Sequence, residues 1–209
     1  MKNYHETTLA YDSRRQVVWK ALCEHYFQRL IQPADCVLDL GAGYGDFVNQ
    51  IRCRRRIAVD QWAGMLKYLQ PGVEGHVGPV TDLGAIEDSS VDFVLASNLF
   101  EHLPQSEFAE TLEGLRAKMK TGATLNLLQP NYRLAYREYF DDHTHVSVYT
   151  DRSLADFLEV NGFRVTEVHP GFLPLTIKSR LPVSPALIQM YLASPWKPFG
   201  KQMLIRAVR

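Results

Sequence analysis

The feature that most constrains this chain is a short apolar run that stops abruptly in glycines: Cys36-Val37-Leu38-Asp39-Leu40, then Gly41-Ala42-Gly43-Tyr44-Gly45. The run suits a strand buried on both faces, and the glycines at alternate positions let the following backbone turn sharply and approach a ligand closely. In an open α/β sheet the ligand crevice lies at the carboxyl ends of the strands, where their order reverses, so Asp39 is an acidic group at the right edge. A dinucleotide fingerprint would need a further glycine three residues after Gly43. Asp46 stands there, and its charge would oppose a pyrophosphate.

The same strand-and-turn pattern repeats along the chain. Val18, Leu22, Tyr26 and Leu30 recur at four-residue intervals, one face of a leading helix that Gln32-Pro33 interrupts. After the glycine turn, the pattern predicts a helix over 46–52, a strand over 56–60, a helix over 61–69 and a weak strand near 75–77. A clear strand follows at 91–97, then a helix over 106–119 and a strand at 124–128. Thr150 reads as an N-cap, Leu154, Phe157 and Leu158 as an apolar helix face, and Gly162 as the stop. Residues 163–169 and 202–208 read as strands joined by a proline-rich excursion, compatible with an antiparallel hairpin. Such alternation predicts a mostly parallel sheet covered by helices on both faces. We expect a single domain spanning 1–209, with an N-terminal helical arm (1–33) and substrate-side segments at 130–149 and 170–198.

Composition narrows the function classes. Lys plus Arg (23) equal Asp plus Glu (23), so no net positive field concentrates a polyanion, and nucleic acid is a poor partner. The dense basic run Arg52-Cys53-Arg54-Arg55-Arg56 reads as a solvated turn. Three cysteines without metal-ligand spacing argue against a disulfide framework and fit a cytoplasmic setting. No apolar run approaches the roughly 20 residues that cross a bilayer, so no membrane is expected. The oligomeric state is left open.

Taken together, Val37 to Gly45, the later Asp60, and Ser97-Asn98-Leu99-Phe100-Glu101-His102-Leu103 resemble the class I S-adenosylmethionine (SAM)-dependent methyltransferases, particularly their small-molecule branch. The likeness covers about 37–124 well and the rest by element order. It implies a three-layer Rossmann-like sandwich, a seven-stranded sheet whose last strand is antiparallel, and SAM as cofactor. For that ligand, Asp39 faces the positive part of the methionine moiety while the N–H groups of Gly41, Ala42, Gly43 and Gly45 receive its carboxylate. Asp60, at the next strand's end, suits the ribose hydroxyls, with Gln61 and Trp62 flanking the adenine. Asp82 is expected to accept from the adenine amino group, with Leu83 on the ring; Thr81 and Asp82 also fit an ordinary helix or turn cap. Asn98 is expected at the cofactor's edge.

Methyl transfer to a hydroxyl needs alignment and removal of a proton, so His102, His143 and His145 are the candidate bases for a small-molecule acceptor. His102 also fits a packed, hydrogen-bonded residue, and His143 and His145 also fit caps of the following strand and helix. The His143-x-His145 spacing would hold a metal only if extended and completed by Asp141 or Asp142, and no metal is expected. Tyr11 and Arg14 are candidates for a lid. The competing reading is a non-catalytic SAM-binding or partner-regulating protein with the same fold.

Overall fold

The computed structural model describes residues 11–174 and 184–209. Helix α1 (Ser13–His25) starts at Asp12, whose carboxylate accepts from the Arg14 N–H, and a 3-10 turn (Phe27–Leu30) follows it. Then come β1 (Cys36–Leu40), β2 (Arg55–Asp60), β3 (Val73–Val77), β4 (Val91–Ser97), α2 (Gln105–Lys118), β5 (Met119–Pro130), a one-turn helix α3 (Tyr132–Ala135), α4 (Asp151–Val160), β6 (Arg164–Pro174), α5 (Pro185–Ala193) and β7 (Gly200–Val208). Thr150 caps α4 with a reciprocal capping box, as its sequence implies.

The seven strands form one sheet in the order β3-β2-β1-β4-β5-β7-β6. Only β7 runs antiparallel, pairing with β5 on one side and β6 on the other. Period-two alternation divides the core between the two faces. Leu38, Leu40, Ile57, Val59, Val94 and Ala96 pack toward α2 and α4 with Phe108, Leu112, Leu154 and Leu158. Val37, Ala58, Phe93 and Leu95 face Leu22, Phe27, Phe47 and Ile51 on the other side. The rings of Phe27, Phe47 and Phe93 are buried against one another, each contributing on the order of 1.5 to 3 kcal/mol of transfer free energy. Among the described residues, no helix is long and apolar enough to cross a membrane.

Three local expectations differ from the structure. Residues 46–52 form successive turns instead of a helix, because the Val48 N–H donates to the Asp39 carboxylate and the helical ladder stops after Asn49 N–H to Gly45 C=O. The segment expected as a helix over 61–69 is a 3-10 turn (Ala63–Lys67), with Met65 N–H bonded to Trp62 C=O and Tyr68 N–H to Met65 C=O. Strand β6 continues past residue 169 to Pro174 through two register shifts, and the excursion holds α5, started by Pro185 in its first turn. Residues 1–10, at the start of the N-terminal arm, and 175–183, in the 170–198 segment, lie outside the described residues. The basic run is distributed: Arg55 forms an ion pair with Glu74 and Arg56 donates to the Pro71 carbonyl.

Candidate active site

The strand order reverses between β1 and β4, and a cavity of about 540 Å³ opens at the carboxyl ends of β1, β2 and β4. The register places Leu40 beside Val59, so Asp39 and Asp60 stand at adjacent strand ends, and both line this cavity. The glycine turn between them is pinned from below: Gly41 and Ala42 both donate their N–H to the Val59 carbonyl, at 2.8 and 3.1 Å. Gly41 has φ +74°, a backbone conformation that strains any residue with a side chain, and a β-carbon there would also press on the Leu99 side chain at 3.0 Å.

Asp60 fastens this loop to the next. One carboxylate oxygen accepts from the Gly43 N–H and the other from the Trp62 N–H, both at 2.8 Å. Each oxygen keeps a lone-pair site, so the carboxylate is oriented and still able to accept from a pair of hydroxyls. Asp39 is buried and accepts, among the described residues, one long contact, from the Val48 N–H at 3.3 Å. Burial pushes its carboxyl up to about 8, with Asp60 and Asp46 adding to the rise and the Val48 amide opposing it. A cation entering the cavity beside Asp39 would favour its ionised form.

The rim is aromatic. Tyr44 meets Trp62 and Tyr68 edge-on with centroids 5.0 and 4.7 Å apart, and Tyr11 stacks on Tyr68. Arg14, the residue expected in a lid, instead pairs with Asp12 at the start of α1. Its neighbour Arg15 reaches Asp46 at 2.6 Å, an ion pair by distance whose N–H is not aligned along the contact, and its guanidinium lies 4.8 Å from the Tyr44 ring centroid. Arg15, Trp19 and Asp46 all line the cavity, so α1 closes one side of it. Burial raises the Asp46 carboxyl, and Arg15 counteracts that rise.

Gln61, Trp62 and Asn98 also line the cavity. Asn98 adopts φ +49°, donates its N–H to the Leu128 carbonyl and accepts from the Gln202 side chain at 2.8 Å. Asp82 and Leu83 stand elsewhere. Asp82 is exposed and caps a turn through the Gly84 N–H, and Leu83 is buried in the core, while Pro79, Val80 and Thr81 form that part of the wall.

At the far end stands His102, in the 3-10 turn Phe100–His102. The Thr144 hydroxyl gives its proton to Asp142 at 2.5 Å, so toward the His102 Nδ1 at 2.9 Å it can only accept. That fixes the proton on Nδ1 and the lone pair on Nε2. Burial, and after it the neighbouring His145, lower the pKa of His102, while Asp142 and Thr144 act the other way. His145 has its ring centroid 4.8 Å from that of His102 and donates Nδ1–H to the Tyr139 carbonyl. His143 is exposed and does not line the cavity. Glu101 is fully buried, and neither carboxylate oxygen has a hydrogen-bond partner among the described residues. Burial pushes it up to about 8, its own main-chain amide opposing and Asp142 adding.

The profile of the methyltransferase-domain family matches residues 11–168. The chain belongs to the class I SAM-dependent methyltransferases. Among solved structures, a SAM-dependent methyltransferase from Archaeoglobus fulgidus is 22% identical, with 99% of this chain and 98% of that one aligned at a TM-score of 0.70. A putative methyltransferase from Haloferax volcanii, solved in complex with the Trm112 methyltransferase activator, is 18% identical, with coverage of 94% and 90% and a TM-score of 0.68. The geranyl diphosphate C-methyltransferase of Streptomyces coelicolor A3(2), solved with Mg2+, geranyl diphosphate and S-adenosyl-L-homocysteine, is 15% identical over 91% of this chain and 76% of that one, TM-score 0.62. No curated protein matches the sequence.

For this methyltransferase, sequence reasoning missed Arg15, Trp19, Tyr44, Val80 and Thr144 in the wall. Asp46 carried a usable signal: an acid beside the glycine turn calls for a cation, and the leading helix offers Arg14 and Arg15. Nothing local in the sequence announces Thr144, which reaches His102 across 42 residues.

Proposed function

We propose that this chain is a single-domain, catalytically active methyltransferase that passes the methyl group of SAM to a small-molecule acceptor, with oxygen favoured over nitrogen. The carrying observation is that Asp39 and Asp60, from adjacent strand ends, share one cavity with a neutral histidine at its other end. The residues fit the cofactor: an under-partnered buried carboxyl for an ammonium, an oriented carboxylate for vicinal hydroxyls, and Trp62 and Tyr44 for a purine face. SAM supplies a methyl on a sulfonium, already activated for in-line displacement. The protein's part is to hold the acceptor in line, exclude water and take up the acceptor's proton.

His102 is the group we assign to that proton. Its lowered pKa keeps it neutral near pH 7, and Thr144 holds the tautomer whose Nε2 is basic. The Arg15–Asp46 contact and the aromatic rim favour a small acceptor over a polymer, and the zero net charge agrees. We place the protein in the cytoplasm, where its free cysteines persist reduced.

The test is S-adenosylhomocysteine formation, followed by mass spectrometry, against a panel of hydroxy, amino and thiol metabolites. Methylated hydroxy compounds are expected. The second reading, a SAM-binding regulator of a partner, is favoured by the exposed Trp196 and Phe199, at 76% and 78% exposure, and by the activator complex formed by the Haloferax protein. Tight SAM binding without product from any acceptor would establish it over ours.

A further inference from the structure

We propose that Glu101, His102 and His145 form a binding site for one divalent transition-metal ion at the acceptor end of the cavity. Candidate ligand atoms of the three residues lie within 4.8 Å of one another. This set differs from the His143-x-His145 pairing suggested by sequence spacing, because His143 is exposed and the third ligand arrives from the turn after β4.

Two independent observations point to a cation. The first is Glu101, a fully buried carboxyl whose two oxygens accept no hydrogen bond among the described residues. Buried polar groups are almost always paired, so an orphaned carboxylate beside two imidazoles marks a place that a ligand completes. The second is the orientation of both histidines. His145 donates Nδ1–H to the Tyr139 carbonyl, and His102 donates Nδ1–H to Thr144, which is itself held by Asp142. Metal-binding histidines are commonly tied in this way through the second ring nitrogen, which sets the tautomer in which Nε2 is the ligand atom.

The donor set selects the metal class. Two imidazoles and one carboxylate suit zinc, cobalt, iron or manganese, whereas magnesium and calcium favour all-oxygen shells. Three protein ligands leave a coordination position for water or an acceptor oxygen, as catalytic zinc sites do. Bonds of about 2 Å to a tetrahedral centre put ligand atoms about 3.3 Å apart, so loading draws in any pair that stands wider than this. His102 lines the cavity, and a cation on its Nε2 would lower the pKa of a bound hydroxyl in place of the imidazole acting as base. That consequence rests on the proposed function; the binding itself does not.

The test is a Co2+ titration of the EDTA-treated, dialysed protein without SAM, read by visible d–d absorption, with Zn2+ as competitor. One saturating equivalent, displaced by Zn2+ and not by the same concentration of Mg2+, is expected. Glu101→Gln and His145→Ala should each weaken Co2+ by about 10- to 100-fold, and His143→Ala should leave it unchanged. Circular dichroism checks that each variant folds; if Glu101→Gln does not, the partly exposed His145→Ala carries the test. No saturable signal in the native chain, unchanged affinity in His145→Ala, or equal weakening in His143→Ala would overturn the site. Because no turnover is measured, failure here leaves the methyl-transfer reading to its own assay.

Discussion

The two ends of the cavity are built on different principles. At the Asp60 end the main chain does the positioning: strand register sets two acids side by side, and loop amides hold the Asp60 carboxylate at 2.8 Å on both sides. At the His102 end the partners come from distant segments and side chains share the positioning with main-chain bonds: Asp142, Thr144 and His145 stand against Glu101 and His102, Val146 and Ser147 donate their N–H to the Glu101 carbonyl, and the Glu101 carboxyl has no hydrogen-bond partner among the described residues. A site made from backbone is preorganised for a fixed ligand, while one made from side chains is open to change in what it accepts. The division yields four tests.

The largest effect is expected from His102→Ala. Turnover should fall at least about 100-fold at saturating SAM, the usual worth of a positioned proton acceptor, with SAM affinity within about twofold of native. A matching loss of SAM affinity in calorimetry would break the division. Next comes Asp60→Ala, expected to weaken SAM by about 2 kcal/mol, roughly 30-fold, because charge-assisted hydrogen bonds are lost and two loop amides are released. Unchanged affinity would remove Asp60 from the site.

A pH titration sharpens the comparison further. The unfolded chain releases the Asp39 proton near 3.8 and the folded chain holds it to about 8, so this group makes the cofactor-free fold lose stability as pH climbs between those values. An ammonium ligand favours the ionised form. SAM affinity should therefore rise severalfold from pH 6 to 7.5, and Asp39→Asn should flatten that slope in isothermal titrations at each pH. The smallest effect is assigned to Arg15→Ala, which removes the partner of Asp46: SAM dissociation should speed up by roughly two- to fivefold in stopped-flow measurements, with little change in association.

The contrast also explains what the sequence made legible. The sheet, the antiparallel β7, the capping box at Thr150 and the adjacency of Asp39 and Asp60 follow from periodicity and local signals, because each depends on residues a few places apart. The turns over 46–52 were misread as helix because a long-range bond from the Val48 N–H to Asp39 outcompetes the local ladder. Asp82 and Leu83 stand outside the cavity wall, since position within a turn is not set by pattern alone. At the acceptor end, the meeting of Glu101 with His145 depends on the path of the 43 intervening residues, and no spacing rule encodes it.

The insertion of β7 between β5 and β6 has a consequence for biosynthesis. A growing polypeptide emits β6 before the strand that joins it to the sheet, so until Gly200–Val208 emerges from the ribosome, β5 presents an unpaired edge and β6 has no neighbour. During that interval the hydrogen-bonding edge of β5 from Thr124 to Pro130 stays open until β7 pairs with it.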